Sequence, residues 1–271
     1  MRLSTRQLLF LRIATGAVLA FIYVPLMIIF IEAFNEARTL EWPPPGFTTE
    51  WFELAFENTG ARDAFLYSLK TASIATSIAL VLGSLAAMGV SRFRFFGRET
   101  VSFLVILPIA LPGIVTGIAL NSTFTKVLGI DLGLLTLVIA HATFCMVVVY
   151  NNVIARLRRL STSFEEASAD LGATPWQTFR WVTLPNMRTA LVAGALLAFA
   201  LSFDEIIVTV FTIGIGEETL PQWLLNNFSR ANQLPIVNAV AVIVIVISII
   251  PVYLAHKLSS EVGTGAGAAR M

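Results

Sequence analysis

Apolar residues along this chain come in six long runs, each close to the length of a bilayer crossing and separated by shorter polar segments. They fall at 13–31, 68–90, 101–123, 134–154, 190–211 and 236–255. A helix needs about 20 mostly apolar residues to cross roughly 30 Å of hydrocarbon, so each run predicts a spanning helix. The apolar stretches are continuous rather than alternating, which argues against a porin-like barrel. The first run follows Arg2, Arg6 and Arg12 but is too long for a secretory h-region and lacks an A-x-A exit. It is read as an uncleaved first span. The expected architecture is an all-α integral membrane protein with six transmembrane helices, forming a single transmembrane domain over residues 1–271.

Several runs are marked for bending or close packing. Pro108 and Pro112 fall in the third and Pro251 in the sixth, where each removes a backbone donor and favours a kink. Gly113 and Gly117 form a G-x-x-x-G step, and Ala79, Gly83 and Ala87 form a ridge at the same spacing. Ordinary helix packing accounts for such motifs as well as moving parts do. Between runs, Trp51, Phe52, Ala55 and Phe56 share one helical face opposite Glu50, Glu53 and Glu57, which predicts a short interfacial helix. Thr219 and Gln222 have capping-box spacing and predict another.

Composition agrees with the pattern. Of 271 residues, 56% are hydrophobic and 13% charged, and the mean hydropathy is +0.80. Soluble chains carry about 25% charged residues. The net charge of +1 and the single Cys exclude a basic nucleic-acid binder and a disulfide scaffold. Charge placement says more than the sum. With the N-terminus in the cytoplasm, thirteen of the eighteen Lys and Arg lie in inner segments. Glu36, Glu41, Glu50, Glu53, Glu57 and Asp63 lie together in the first outer loop. The bias predicts N-in and C-in. A Gly-rich tail, 263–271, is expected to be disordered.

The longest inner segment, between the fourth and fifth runs, reads as a two-helix elbow over 161–185. Ser163 and Glu166 have capping-box spacing, and Gly172 is placed to end the first helix in a left-handed turn. Thr174 and Gln177 form a second capping box with Pro175 at the first helical position, and Leu184-Pro185 is expected to break the second helix. The order Glu166-Ala167-Ser168, Gly172, then Val182-Thr183-Leu184-Pro185 resembles the EAA motif of ABC-importer permeases. It departs mildly at Ser168, where Ala is usual, and at Val182, where Ile is common. Residues 107–117 (LPIALPGIVTG), 141–155 (HATFCMVVVYNNVIA) and 200–208 (ALSFDEIIV) are similar to the polyamine (spermidine/putrescine) branch of that family.

The resemblance implies a type I importer permease (MetI-like) fold in the bacterial cytoplasmic membrane, with the elbow as a coupling helix that docks on an ATPase. It makes Glu166, Ala167, Ser168, Gly172, Leu184 and Pro185 the coupling residues. It also implies a sister permease, two ATPase subunits and a periplasmic or lipid-anchored substrate-binding protein. ATP and Mg would be bound by the ATPase, since this chain has no G-x-x-x-x-G-K-[ST] loop. Other small amines, amino-acid-like compounds and opines are alternative substrates.

Asp204 and Glu205 sit inside the fifth run, where a carboxylate is costly unless it meets water, a cation or a donor. Either it faces the substrate path, for which Asp204 is favoured, or it locks helices together. Two other function classes compete: an ion-coupled secondary transporter, whose internal repeat is not visible, and a membrane enzyme using the acidic pair. Adjacent carboxylates on a helix diverge by about 100°, which disfavours the enzyme. His141 and His256 have no partners at metal-ligand spacing and are read as helix-packing or interfacial residues, and Cys145, in an apolar run without a partner, indicates neither a disulfide nor a nucleophile. The five Trp all lie outside the runs and are read as interface anchors.

Overall fold

A computed structural model describes residues 4–39, 41–230 and 232–265, with side chains described as far as residue 249. Arg2, Arg270 and the tail from 266 onward lie outside the described residues, as do the side chains of Pro251, His256 and Lys257. The helices are α1 (Thr5–Glu32), α2 (Glu50–Glu57), α3 (Thr59–Arg92), α4 (Arg98–Ala110), α5 (Gly113–Ser122), α6 (Leu134–Leu157), α7 (Ser163–Asp170), α8 (Pro175–Thr178), α9 (Leu184–Phe203), α10 (Ile207–Thr212), α11 (Leu220–Phe228) and α12 (Leu234–Gly265). Among the described residues there is no β-strand, only an isolated bridge between Asn35 and Phe47. The chain divides into two compact units, one of residues up to Arg62 with Leu224–Ile249, the other built on Asp63–Trp223.

In the first unit, α1 opens with a capping box in which Ser4 N–H donates to Gln7 Oε1 at 2.9 Å. Its apolar surface is exposed along its length, and Glu32 is its one buried residue among those described. The short helix expected near Trp51 is present as α2, but Trp51 and Ala55 are buried. Trp51 Nε1 donates to the Asn35 carbonyl at 2.7 Å, and the Phe52 ring lies 4.7 Å from that of Phe34. Trp51 is therefore packed on the preceding loop rather than anchored at an interface.

In the second unit, α6 is the helix on which the others are built. Its 24 residues rise about 36 Å, enough to cross a bilayer. The small-residue ridge of α3 lies against it: Ala79 and Ala87 are fully buried, and a Cβ on Gly83 would come 2.8 Å from the Met146 carbonyl oxygen. On α9, Gly194 makes a similar approach, where a Cβ would come 3.4 Å from Val149 Cα. Without side chains at these positions the backbones approach closely enough for dispersion contacts, the main attraction between helices in lipid. Trp223, another expected anchor, is 5% exposed, and Leu220 N–H donates to Ser68 Oγ at 2.8 Å. Gln222 Oε1 accepts from Thr219 N–H at 3.2 Å, so α11 begins where the capping spacing places it.

Four helical stretches are each long and apolar enough to cross a membrane: α1, α3, α6 and the run Pro175–Phe203. Two of the expected single spans are interrupted. The third run is the bent pair α4 and α5, turned by 104° at Leu111-Pro112. Pro112 has no N–H to continue α4, and Leu111 before it is extended at ψ 145°. Pro108, by contrast, stays inside α4. The fifth run stops at Phe203 and resumes at Ile207 as the short helix α10.

The elbow also differs from expectation in two places. Thr162 rather than Ser163 precedes the first turn of α7, and no side-chain cap forms there. Leu184-Pro185 does not break the helix. The π-helical turn Phe179–Thr183 precedes it, with Leu184 N–H bonded to the Phe179 carbonyl, and Pro185 enters the first turn of α9. The wider turn shifts the hydrogen-bond register before the residue that lacks a donor, and Asn186 Nδ2 donates to the Val182 carbonyl at 2.7 Å.

Candidate functional site

The interruption Asp204–Ile206 is where the sequence placed its acidic pair. The last bond of α9 is donated by Asp204 N–H to the Ala200 carbonyl at 3.2 Å. Asp204 is exposed, and among the described residues no donor reaches its carboxylate. Glu205 is half-buried and turned back on the chain, its Oε1 accepting from Val208 N–H at 2.9 Å. It satisfies one of the orphan donors at the start of α10, as an N-cap does. The two carboxylates thus separate, but for a reason other than helical pitch: one ends a helix and the other caps the next.

A six-residue helix inside a bilayer leaves most of its backbone groups without internal partners, at several kcal/mol each in hydrocarbon. Side chains of neighbouring helices supply them. Asn121 Nδ2, at the end of α5, donates to the Phe211 carbonyl at 2.6 Å, and the one proton of Thr136 Oγ1 on α6 is shared between the Thr212 and Gly133 carbonyls, each at 2.9 Å. The G-x-x-x-G step of α5 faces this helix. A Cβ on Gly113 would lie 3.3 Å from Ile207 Cγ2, and one on Gly117 would lie 2.6 Å from Phe211 Cδ2. The second halves of the two interrupted runs therefore pack on each other, glycine against large apolar side chain at matching i, i+4 spacing.

His141 of α6 bridges the interruption. Its Nδ1 lies 2.8 Å from Ser202 Oγ on α9 and its Nε2 lies 2.9 Å from Thr209 Oγ1 on α10, and the residue is 1% exposed. Cys145, one turn on, donates its thiol to the Ala198 carbonyl at 3.2 Å. The reading of His141 as a packing residue understates it. Ser202, Thr209, Asn121 and Thr136 were missed altogether. Their common signal is a hydrogen-bonding side chain inside or beside an apolar run.

At the elbow, α7 ends as the position of Gly172 predicted. Gly172 has φ +83°, its N–H bonds to the Ala169 carbonyl at 2.8 Å, and Ala173 N–H bonds to the Ser168 carbonyl at 3.1 Å. This is a Schellman ending, with Gly at the left-handed position. α8 opens with the Thr174–Gln177 capping box and Pro175 at its start. Ser168 Oγ meets Thr178 Oγ1 at 3.0 Å, joining the two helices. Glu166, Ala167 and Gly172 are exposed, as are Leu184 and Pro185, and among the described residues none of the five makes a side-chain hydrogen bond that ties the elbow to the rest of the unit. That role falls to Glu165, which sequence reasoning passed over. Its Oε1 accepts from Arg92 at the end of α3 and from Thr183 in the π turn, both at 2.9 Å. Phe164, Leu171, Trp176 and Trp181 are left on the elbow's exposed surface, Leu171 at 89%.

Comparison with known proteins identifies the family and the fold. The family described as "Binding-protein-dependent transport system inner membrane component" matches residues 79–262. The spermidine/putrescine transport system permease protein PotC of Shigella flexneri is 34% identical over 252 residues, covering 93% of this chain and 94% of that protein. The putrescine transport system permease protein PotI of Escherichia coli (strain K12) is 34% identical over 232 residues, covering 83% of this chain and 82% of that one. Among solved structures, a bacterial ABC transporter for the import of alginate has a chain that superposes with TM-score 0.72 at 18% identity, over 96% of this chain and 99% of that chain. That likeness shows the fold of ABC-importer permeases. Family, relatives and fold agree: the chain belongs to the binding-protein-dependent transport system inner membrane components, and is a multi-pass permease subunit of an ABC importer.

Proposed function

We propose that the importer carries small organic cations, most simply putrescine or spermidine, and that Asp204 faces the path they take. The single observation behind this reading is an exposed carboxylate, free of donors among the described residues, at an interruption in a membrane helix. Interrupted helices present backbone ends and polar side chains to a substrate at membrane depth. A carboxylate kept there without a partner favours an ammonium group in transit. The permease relatives are named for spermidine and putrescine, which carry such groups. Glu205, occupied with capping α10, has the supporting role.

The chain works beside a sister permease, two ATPase subunits that bind ATP and Mg, and a periplasmic or lipid-anchored binding protein. Its termini face the cytoplasm, and the elbow transmits ATPase closure. The exposed apolar side chains around Gly172 support that docking role. The test is uptake of labelled spermidine and putrescine by the whole complex in proteoliposomes. Asp204→Asn should cut uptake while the complex still assembles. Unchanged uptake in Asp204→Asn and Glu205→Gln together would remove the reading.

A further inference from the structure

The bonds around His141 have a direction. Thr209 Oγ1 lies 2.7 Å from the Glu205 carbonyl oxygen, to which it can only donate. Its one proton is then committed, so Thr209 meets His141 Nε2 as an acceptor, and Nε2 carries the ring proton. Nδ1 is left with a lone pair, which accepts from Ser202 Oγ. A single chain of donors results: Ser202 hydroxyl to His141 Nδ1, His141 Nε2–H to Thr209 hydroxyl, Thr209 hydroxyl to the Glu205 carbonyl. It begins in the last turn of α9, crosses through α6, and ends on the unwound backbone between Asp204 and Ile206.

We propose that His141 is a positioning residue for transport: through this directed chain it fixes the angle between the two halves of the fifth span, and with it the place of Asp204. The inference rests on the reading that Asp204 faces the path. The geometry goes beyond packing because the ring touches both halves and α6 is the reference helix for the whole unit. An apolar side chain of equal volume would fill the space but would leave the Ser202 hydroxyl without its acceptor and the Thr209 oxygen without its donor, untying the two halves from α6.

The experiment uses the reconstituted importer with labelled spermidine and compares Thr209→Val, Thr209→Ser and Ser202→Ala, each alone and with Asp204→Asn. Thr209→Val keeps the shape and loses the hydroxyl, whereas Thr209→Ser keeps the hydroxyl. We expect Thr209→Val to transport about tenfold less spermidine per ATP hydrolysed, the size of one lost hydrogen bond, with Thr209→Ser close to the parent. Since the chain acts through Asp204, Thr209→Val should add nothing in the Asp204→Asn background. Equal transport by Thr209→Val and the parent, or effects of the two substitutions that simply add, would overturn the proposal. Nitrogen NMR of histidine-labelled protein gives an independent arm, since it reports the Nε2–H form directly and shifts one of the two histidine signals in Thr209→Val. An Nδ1–H ring at His141 overturns the directed chain whatever transport does. If Asp204→Asn alone is harmless, the path reading fails, and the NMR arm still decides the chain.

Discussion

Arg92 and Glu165, seventy-three positions apart, meet at 2.9 Å between guanidinium and carboxylate. Arg92 is the last residue of α3 and Glu165 lies in the first turn of α7. Both side chains are mostly shielded, 17% and 25% exposed, so the pair is screened less than a surface bridge. Losing a charge-assisted bond of this kind costs about 1.5–3 kcal/mol, a factor of ten or more in the attached elbow. Arg92→Ala and Glu165→Ala should therefore reduce substrate-stimulated ATP hydrolysis more than Glu166→Ala does. The charge-swapped pair Arg92→Glu with Glu165→Arg should recover part of it. Equal losses from Glu165→Ala and Glu166→Ala would show that the ion pair does not hold the elbow.

Gly172 tests backbone against bulk. A Cβ there would meet nothing within 4 Å, yet φ is +83°. The penalty for a side chain is therefore conformational, about 1–2 kcal/mol for most residues. Asn tolerates this region best. Gly172→Asn should keep coupled ATPase activity and Gly172→Val should lose it. Loss in both variants would point to bulk at a docking surface instead.

Gly117 lies in the opposite situation, facing Phe211 Cδ2 at 2.6 Å from where its Cβ would be. Overpacking a fitted contact costs about 1–3 kcal/mol. Gly117→Ala should lower the melting temperature of the purified complex, and adding Phe211→Ala should restore part of the loss. If the double variant melts below both single variants, α5 and α10 do not meet there.

The neighbouring carboxylates should separate by assay. Glu205→Ala removes the acceptor for Val208 N–H, and losing such a cap costs about 1 kcal/mol, so it should lower thermal stability. Asp204→Asn should leave melting unchanged and lower spermidine uptake. Identical behaviour of the two variants in both assays would contradict the division of roles.

What was readable in advance follows from where the information lies. The runs that became α1, α3 and α6 are long and apolar without interruption, and periodicity alone finds them. Gly172 and the Thr174–Gln177 box act within one turn, so their spacing is enough. The interruptions are different. Pro112 can kink a helix or end it, and the 104° turn goes with Gly113 and Gly117 docking on Ile207 and Phe211 from another segment. Pro185 looked like a stop because a π turn that moves the register has no strong composition of its own. Asp204 and Glu205, costly in lipid, coincide with the interruption between α9 and α10. The interruption there is bridged by His141, sixty-one positions before Ser202, which no local pattern connects to it. Glu165 was hidden by its neighbour, since the motif draws the eye to Glu166.

The six residues of α10 also bear on how the protein is made. Helices this short do not sustain themselves, and the carbonyls of Phe211 and Thr212 are closed by Asn121 and Thr136, residues synthesised well before them. The fifth span therefore cannot be laid down in the membrane as an independent unit. Its first half can insert on its own apolar length, while its second half becomes a helix only when it reaches a site already furnished by the third and fourth runs. We therefore expect biogenesis of this subunit to be templated, with earlier segments acting as the mould for a later one.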